Sequence, residues 1–308
     1  MTTIEQNPPE KRGVRYFLST RKGKRTCFVL AVLLPFMVWM MIFMIIPLIS
    51  VIVYAFTDAK MAYNDFHFVG LYQFEKIFAN KAAVQSILNT FKAAVIIMPI
   101  SLILSVLCAL GLNAINNRSR NFYTFIYFLP SIVSMTAICL VFNYIYHDQF
   151  GILNYFITLL GKDKVPFLKD TKYALTTLCS IHIWSIFGYY AVILFSNMRG
   201  IDKSLYEAAD LDGANSWAKF WNITIPMLKN SLLYVTIMLT SSAFMLLTPM
   251  LLLTDGTPGT STLTMLLHIY KQGIEQGNIG YSSAMSLLLM AMIAGLSALQ
   301  MFLTREKD

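Results

Sequence analysis

Residues 173–198 read YALTTLCSIHIWSIFGYYAVILFSNM, twenty-six positions without an Asp, Glu, Lys or Arg. A helix needs about 20 mainly apolar residues to cross a hydrocarbon layer about 30 Å thick. A charge at the centre of such a segment costs roughly 3 kcal/mol. Working outward from this run, five more charge-free runs of at least 25 residues appear: 26–57, 93–117, 121–147, 230–254 and 276–304. The pattern predicts an all-α membrane protein with six transmembrane helices, near 28–56, 85–115, 122–147, 173–197, 230–254 and 281–303. Lys92, close to one end of the second, is expected to reach the interface along its aliphatic stem. Composition agrees: of 308 residues, 56% are hydrophobic and 13% charged, against about 25% charged in soluble domains. A soluble enzyme is therefore excluded before any motif is read. The first run is too long for a cleavable signal peptide, holds Pro35 and Pro47, and lacks a small-residue cleavage site.

The formal net charge of +8 follows topology. Fifteen Lys and Arg fall on one side of the six runs and eight on the other. Seven of the fifteen lie in residues 1–27; Arg118 and Arg120 follow, then four in 198–229, then Arg305 and Lys307. Basic loops stay in the cytoplasm, so both termini are expected there and no nucleic-acid partner is implied. The chain divides into a cytoplasmic segment 1–27, a membrane domain 28–303 and a tail 304–308. Four cysteines make no disulfide scaffold. Cys27 is expected at the cytoplasmic edge, and Cys108, Cys139 and Cys179 inside spans, where apolar thiols are inert.

The cytoplasmic segment 199–229 is long and patterned. Ser204 and Glu207 fit a capping box, so a helix is expected from 204. Leu205, Ala208, Ala209 and Asp212 share one side, and Tyr206 and Asp210 another. Gly213 suits the positive φ that ends a helix. A second short helix is expected after Asn215 or Ser216, with Trp217, Phe220 and Trp221 on one side, placed to anchor it against the bundle. Pro226 then breaks the chain or opens the fifth span. On spacing alone, an amphipathic linker at the membrane surface fits as well as a docking element.

Glu207-Ala208-Ala209, Asp212-Gly213-Ala214, Phe220, Ile223 and Pro226, in that order, resemble the EAA loop of permeases in ATP-binding-cassette importers. Phe68 to Phe74 (FVGLYQF), Phe150 to Asn154 (FGILN), Trp184, Thr254 to Pro258 (TDGTP), Ser261-Thr262 and Gly280-Tyr281 are similar to maltose-type sugar permeases. The resemblance spans roughly residues 65–300. It departs at Asn230, where many relatives have Pro, and at Gly256-Thr257-Pro258, where Gly-Gly-Pro is usual. The resemblance implies a type I, maltose-permease-like bundle in a bacterial cell membrane. Its loop, through Glu207, Ala208, Ala209, Asp212, Gly213, Phe220, Ile223 and Pro226, docks in a groove of a cytoplasmic ATPase. It further implies a second, homologous permease subunit in a heterodimer, an ATPase dimer, and an extracellular or periplasmic sugar-binding protein, all embedded in or facing membrane lipid. No cofactor is bound directly; ATP and Mg act through the partner ATPase.

No catalytic motif competes with this reading. The chain has no G-x-x-x-x-G-K-[ST], H-E-x-x-H or G-x-S-x-G sequence, and His67, His147, His182 and His268 are scattered, with His182 expected to be a packed or hydrogen-bonded residue. Neither a catalytic nor a metal site is therefore expected. The alternative class is a secondary carrier or channel for another small polar solute. Such proteins use intramembrane charges, and the six runs hold none. Sugar sites combine aromatic faces with hydroxyl partners. Trp184, Ser185, Tyr189 and Tyr190 supply both within one span. The resemblance places Tyr189 at a sugar-contacting position, and Ser131, Ser185 and Ser242 at others.

Overall fold

A computed structural model of the chain describes residues 21–62 and 66–304. Most of the expected cytoplasmic amino-terminal segment, the end of the tail and the Cys27 side chain lie outside the described residues. The chain forms two bodies, residues 1–53 and 54–308. In the first, α1 (Arg21–Met40), a π turn over Met41–Ile45 and α2 (Ile46–Tyr54) follow one another without a gap. Pro47 has no N–H to give to the turn before it, and that turn is the widened one. Residues 31–54 suffice to cross a membrane, in keeping with a span expected over 28–56.

The second body begins with α3 (Tyr72–Ala79) and the 34-residue α4 (Lys81–Ala114). Asn80 starts α4 by accepting hydrogen bonds from the N–H groups of Ala82 (2.9 Å) and Ala83 (3.4 Å). This satisfies donors that have no partner in a helix's first turn. Pro99 sits inside α4 without interrupting it. At the other end Arg120 donates to the carbonyls of Leu112 (2.9 Å) and Ile115 (2.6 Å), a cation on the carbonyl end of a helix.

The third expected span is not one helix. It consists of α5 (Asn117–Ile132) and α6 (Met135–Ile145), bent by 95°. Pro130 weakens the last turn of α5, and Val133 and Ser134 take extended backbone. After α7 (Ile152–Leu159) comes α8 (Ala174–Met198), the most buried of the long helices. The segment expected to be cytoplasmic holds α9 (Lys203–Leu211), α10 (Ser216–Lys219), a π turn over Phe220–Thr224 and α11 (Ile225–Met227). Next, α12 (Lys229–Phe244) leaves this segment at 71°. The expected fifth span, 230–254, is therefore shortened. Its helix stops at Phe244, Met245–Leu247 leave the helical path, and a π turn over Met250–Thr254 ends at Asp255 with φ +50°. Finally come α13 (Met265–Tyr270) and α14 (Ile279–Thr304). Among the described residues four helices are long and apolar enough to cross a membrane, and counting each bent pair as one span gives six.

Two apolar clusters hold this body together. The larger joins Ile97, Leu178, Ile181, Phe244, Met265 and Met285; the smaller joins Leu112, Leu194, Met198, Leu228 and Leu239 near the helix pair α9 and α10. Lipid offers no hydrophobic drive between helices, so close approach and interhelical hydrogen bonds carry the packing. Gly188 of α8 lies against the backbone of Tyr127 in α5. Asn89 donates to the carbonyls of Thr260 (2.7 Å) and Leu263 (3.0 Å), and Thr90 accepts from the N–H of Met265 (2.8 Å). These two polar residues of α4 pin the irregular segment after α12, whose carbonyls could not face lipid unpaired.

Candidate functional site

The first candidate element is the helical pair after α8. Asp202, not Ser204, caps α9: its carboxylate accepts from the Ser204 N–H at 3.0 Å, so α9 starts at Lys203 and Ser204 lies in its first turn. That backbone bond, with a further one from the Ser204 hydroxyl, holds the Asp202 carboxyl below the usual carboxylate range. Gly213 has φ +75° and closes α9: its N–H bonds Asp210 O, and the Ala214 N–H bonds Ala209 O. Asn215 opens α10 by accepting from the Ala218 N–H (2.8 Å). Two ties then cross the pair: Lys219 Nζ meets Asp210 Oδ1 at 2.6 Å, and the Tyr206 hydroxyl meets Thr224 Oγ1 at 3.0 Å.

These bonds make a rigid element with a defined outer face. Glu207, Ala208, Asp212 and Gly213 are exposed, Ala209 is half-buried, and Leu211 between them is 91% exposed. Sequence reasoning missed Leu211, although it falls three residues after Ala208 on the same side. Ile223 points the other way and packs with Tyr206 against the smaller apolar cluster. Pro226 is exposed, and with the end of α14 lines a groove of about 500 Å³. The aromatics do not anchor α10 to the bundle as expected. Trp217 and Trp221 are 70% and 50% exposed, and they pack with Phe220 on one another, ring centroids 5.1–6.1 Å apart.

The second element is a cavity of about 260 Å³ where the bend between α5 and α6 faces α8. Its lining includes four of the six expected sugar contacts: Ser131, Ser185, Tyr189 and Tyr190. Tyr189 is 40% exposed, stacks on Phe128 at 6.1 Å and meets buried Tyr190 edge-on at 5.1 Å. Ser131 donates to Ser185 O (3.0 Å), and Ser185 donates to His182 O (2.7 Å). Both hydroxyl protons are committed within the protein, leaving oxygens that accept. Ser242 does not line the cavity; it sits one hydrogen bond behind, 2.8 Å from His182 Nε2. Trp184 is also outside the lining, half-exposed and packed edge-on against Phe142 at 5.2 Å.

His182 is packed and hydrogen-bonded, as expected, but its place in the cavity wall was not assigned from sequence. It lines the cavity and is buried. Its Nδ1 has no hydrogen-bond partner among the described residues, a state that ordinarily costs about 1–3 kcal/mol. The only sequence signal was a titratable ring three residues before Ser185, one helical turn away. Among the described residues no three His, Cys, Asp or Glu side chains come together as metal ligands do.

A multi-pass α-helical body, a capped helix pair between α8 and α12 and a small cavity of mixed lining on the helix leading into that pair define a membrane transport subunit. Residues 101–307 match the family described as binding-protein-dependent transport system inner membrane component, and the chain belongs to that family. It is 30% identical to the probable ATP-binding-cassette transporter permease protein YurN of Bacillus subtilis, over 76% of this chain and 81% of that one. It is 28% identical to the diacetylchitobiose uptake system permease protein NgcF of Streptomyces coelicolor, over 99% and 90%. Its fold matches a crystallised bacterial ATP-binding-cassette importer of the acidic polysaccharide alginate, with a TM-score of 0.81, 21% identity and coverage of 92% and 96%.

Proposed function

We propose that this chain is the permease subunit of an ATP-driven, binding-protein-dependent importer of oligosaccharides, working by alternating access. The observation that carries the reading is the continuity of the two candidate elements. Tyr189, Ser185 and His182 line the cavity from α8, and only four residues, 199–202, separate α8 from the capped helix α9. A partner ATPase that moves the exposed face of α9 therefore moves the wall of the cavity directly. Leu211 gives that partner an apolar anchor, and Glu207 gives it a single anionic contact. The diacetylchitobiose permease among the relatives supports a sugar as cargo, as do the ring of Tyr189 and the serine oxygens.

A volume of about 260 Å³ lies just below the usual range of about 300–1,000 Å³ for small-molecule sites. It suits one sugar ring, and a second, homologous permease would complete the path for a longer chain. Binding protein, second permease and ATPase dimer are the partners; both termini face the cytoplasm of a bacterial cell. The test is sugar uptake by the complete transporter. Glu207→Lys is expected to abolish uptake while the permease stays in the membrane and the ATPase co-purifies less. Tyr189→Ala is expected to weaken uptake at low sugar concentration with ATPase association intact. Normal uptake in Glu207→Lys removes the docking role; normal uptake in Tyr189→Ala removes the cavity from the sugar path. Uptake by this chain without any ATPase would favour a secondary carrier.

A further inference from the structure

A second and larger cavity, about 570 Å³, opens between α4 and the start of α8, well away from the residues assigned to sugar and ATPase. Leu88, Phe91, Val95 and Leu175 form its walls, Lys92 and Lys172 contribute cationic groups, and no Asp or Glu lines it. Both lysines are exposed. Lys92 has no ion pair or hydrogen-bond partner among the described residues, and Lys172 lies 5.2 Å from the ring of its neighbour Tyr173. Asp170, two residues before Lys172, turns its carboxylate to the backbone N–H of Lys172 at 2.9 Å.

Depth decides what such a groove meets. The 34 residues of α4 extend about 51 Å, roughly 20 Å more than the hydrocarbon layer. With Ala114 at one boundary of the hydrocarbon, the other boundary falls about twenty residues earlier, beside Lys92. Lys172 lies two residues before α8, at the end of another span. The two ammonium groups are thus held where phosphate headgroups lie. Leu88, Phe91 and Val95, which are 49%, 38% and 69% exposed, present apolar surface beside them.

We propose that this groove binds an anionic phospholipid, with Lys92 and Lys172 on its phosphate and the walls against the upper part of its acyl chains. The charge is complementary, the apolar lining excludes a purely ionic ligand, and the depth matches the boundary between headgroup and hydrocarbon. A lysine near a membrane surface contributes about 1 kcal/mol toward anionic lipid, so losing two is expected to weaken binding about thirtyfold.

The test is native mass spectrometry of the assembled transporter with added phosphatidylglycerol or phosphatidylcholine. The double variant Lys92→Gln/Lys172→Gln is expected to lose one tightly held phosphatidylglycerol and to leave phosphatidylcholine retention unchanged. Lys92→Arg/Lys172→Arg is expected to restore the lipid, and Val95→Ser to weaken it with both charges present. Both lysines are exposed, so neither substitution threatens the fold. Equal phosphatidylglycerol retention in wild type and the glutamine variant overturns the proposal. So does displacement of the lipid by millimolar inorganic phosphate, which would mark a simple anion site. If the glutamine variant keeps its lipid but loses stimulation by the binding protein, the surface belongs to that protein and the proposal fails.

Discussion

Gly188→Ala provides a severe test of the packing around the cavity. A Cβ built on Gly188 falls 1.7 Å from the carbonyl oxygen of Tyr127 and 2.5 Å from its carbon, whereas ordinary contacts begin near 3.4 Å. The obstacle is backbone, so no side-chain rotation relieves it. α5 and α8 must separate by about 1.7 Å locally to restore an ordinary contact. Ser131 is one turn from Tyr127 and Ser185 one turn from Gly188. Their 3.0 Å hydrogen bond is therefore stretched beyond bonding range by the same movement. Overpacking costs about 1–3 kcal/mol, and an interhelical hydrogen bond in a membrane adds roughly 0.6 kcal/mol. A total of about 2–3 kcal/mol corresponds to a fall in Tm of roughly 4–10 °C for a body of this size. The assay is thermal unfolding of the purified transporter with a thiol-reactive dye, which reports exposure of buried Cys139 and Cys179. Gly295→Ala serves as control, because its added Cβ meets nothing within 4 Å. Replacing a helical glycine in open space is expected to be neutral or to stabilise by about 0.4–1 kcal/mol. Gly188→Ala with wild-type Tm and wild-type uptake would refute both the helix approach and its link to the cavity.

Two further outcomes follow from the geometry. At Gly213 there is room for a side chain but φ is +75°, so the penalty is purely conformational, about 1–2 kcal/mol for a residue with a Cβ. Residual uptake is expected to fall from Gly through Asn and Ala to Val, and a Gly213→Val transporter as active as wild type sinks the turn. For orientation, single cysteines at Lys60, Val165 and Gln272 in a cysteine-free chain are expected to react with an impermeant reagent from outside. Arg118→Cys and Asp212→Cys are expected to stay protected, and the reverse pattern turns the molecule over.

What was legible in the sequence was governed by strong, local rules. A charge inside hydrocarbon is so costly that its absence over twenty-six residues locates α8 almost to its ends. Only glycine enters the left-handed region cheaply, and Gly213 duly ends α9. Where two outcomes are closely balanced, sequence was mute. Pro99 and Pro130 remove the same hydrogen bond, yet α4 runs on through Pro99 while the chain bends by 95° just after Pro130. The surroundings differ: just beyond Pro130 the Ser131 hydroxyl donates across to the Ser185 carbonyl of α8, and the cavity occupies the bend.

Polar residues inside an expected span were equally silent. Asn89 and Thr90 count as ordinary members of a span by hydropathy, but they hold carbonyls and an N–H about 170 residues away in the chain. The His182–Ser242 bond joins residues 60 apart, a distance over which periodicity has no memory. Leu211 shows the opposite error. A leucine in an amphipathic pattern is ordinarily assigned to the inside, and here the inside is already filled by Tyr206 and Ile223. An apolar side chain left 91% exposed on a helix tied down by Asp202, Gly213 and Lys219 is not a packing residue of this chain. On the proposed reading a partner ATPase covers it, so the outer face of α9, and not the aromatic cluster of α10 alone, is where docking is to be sought.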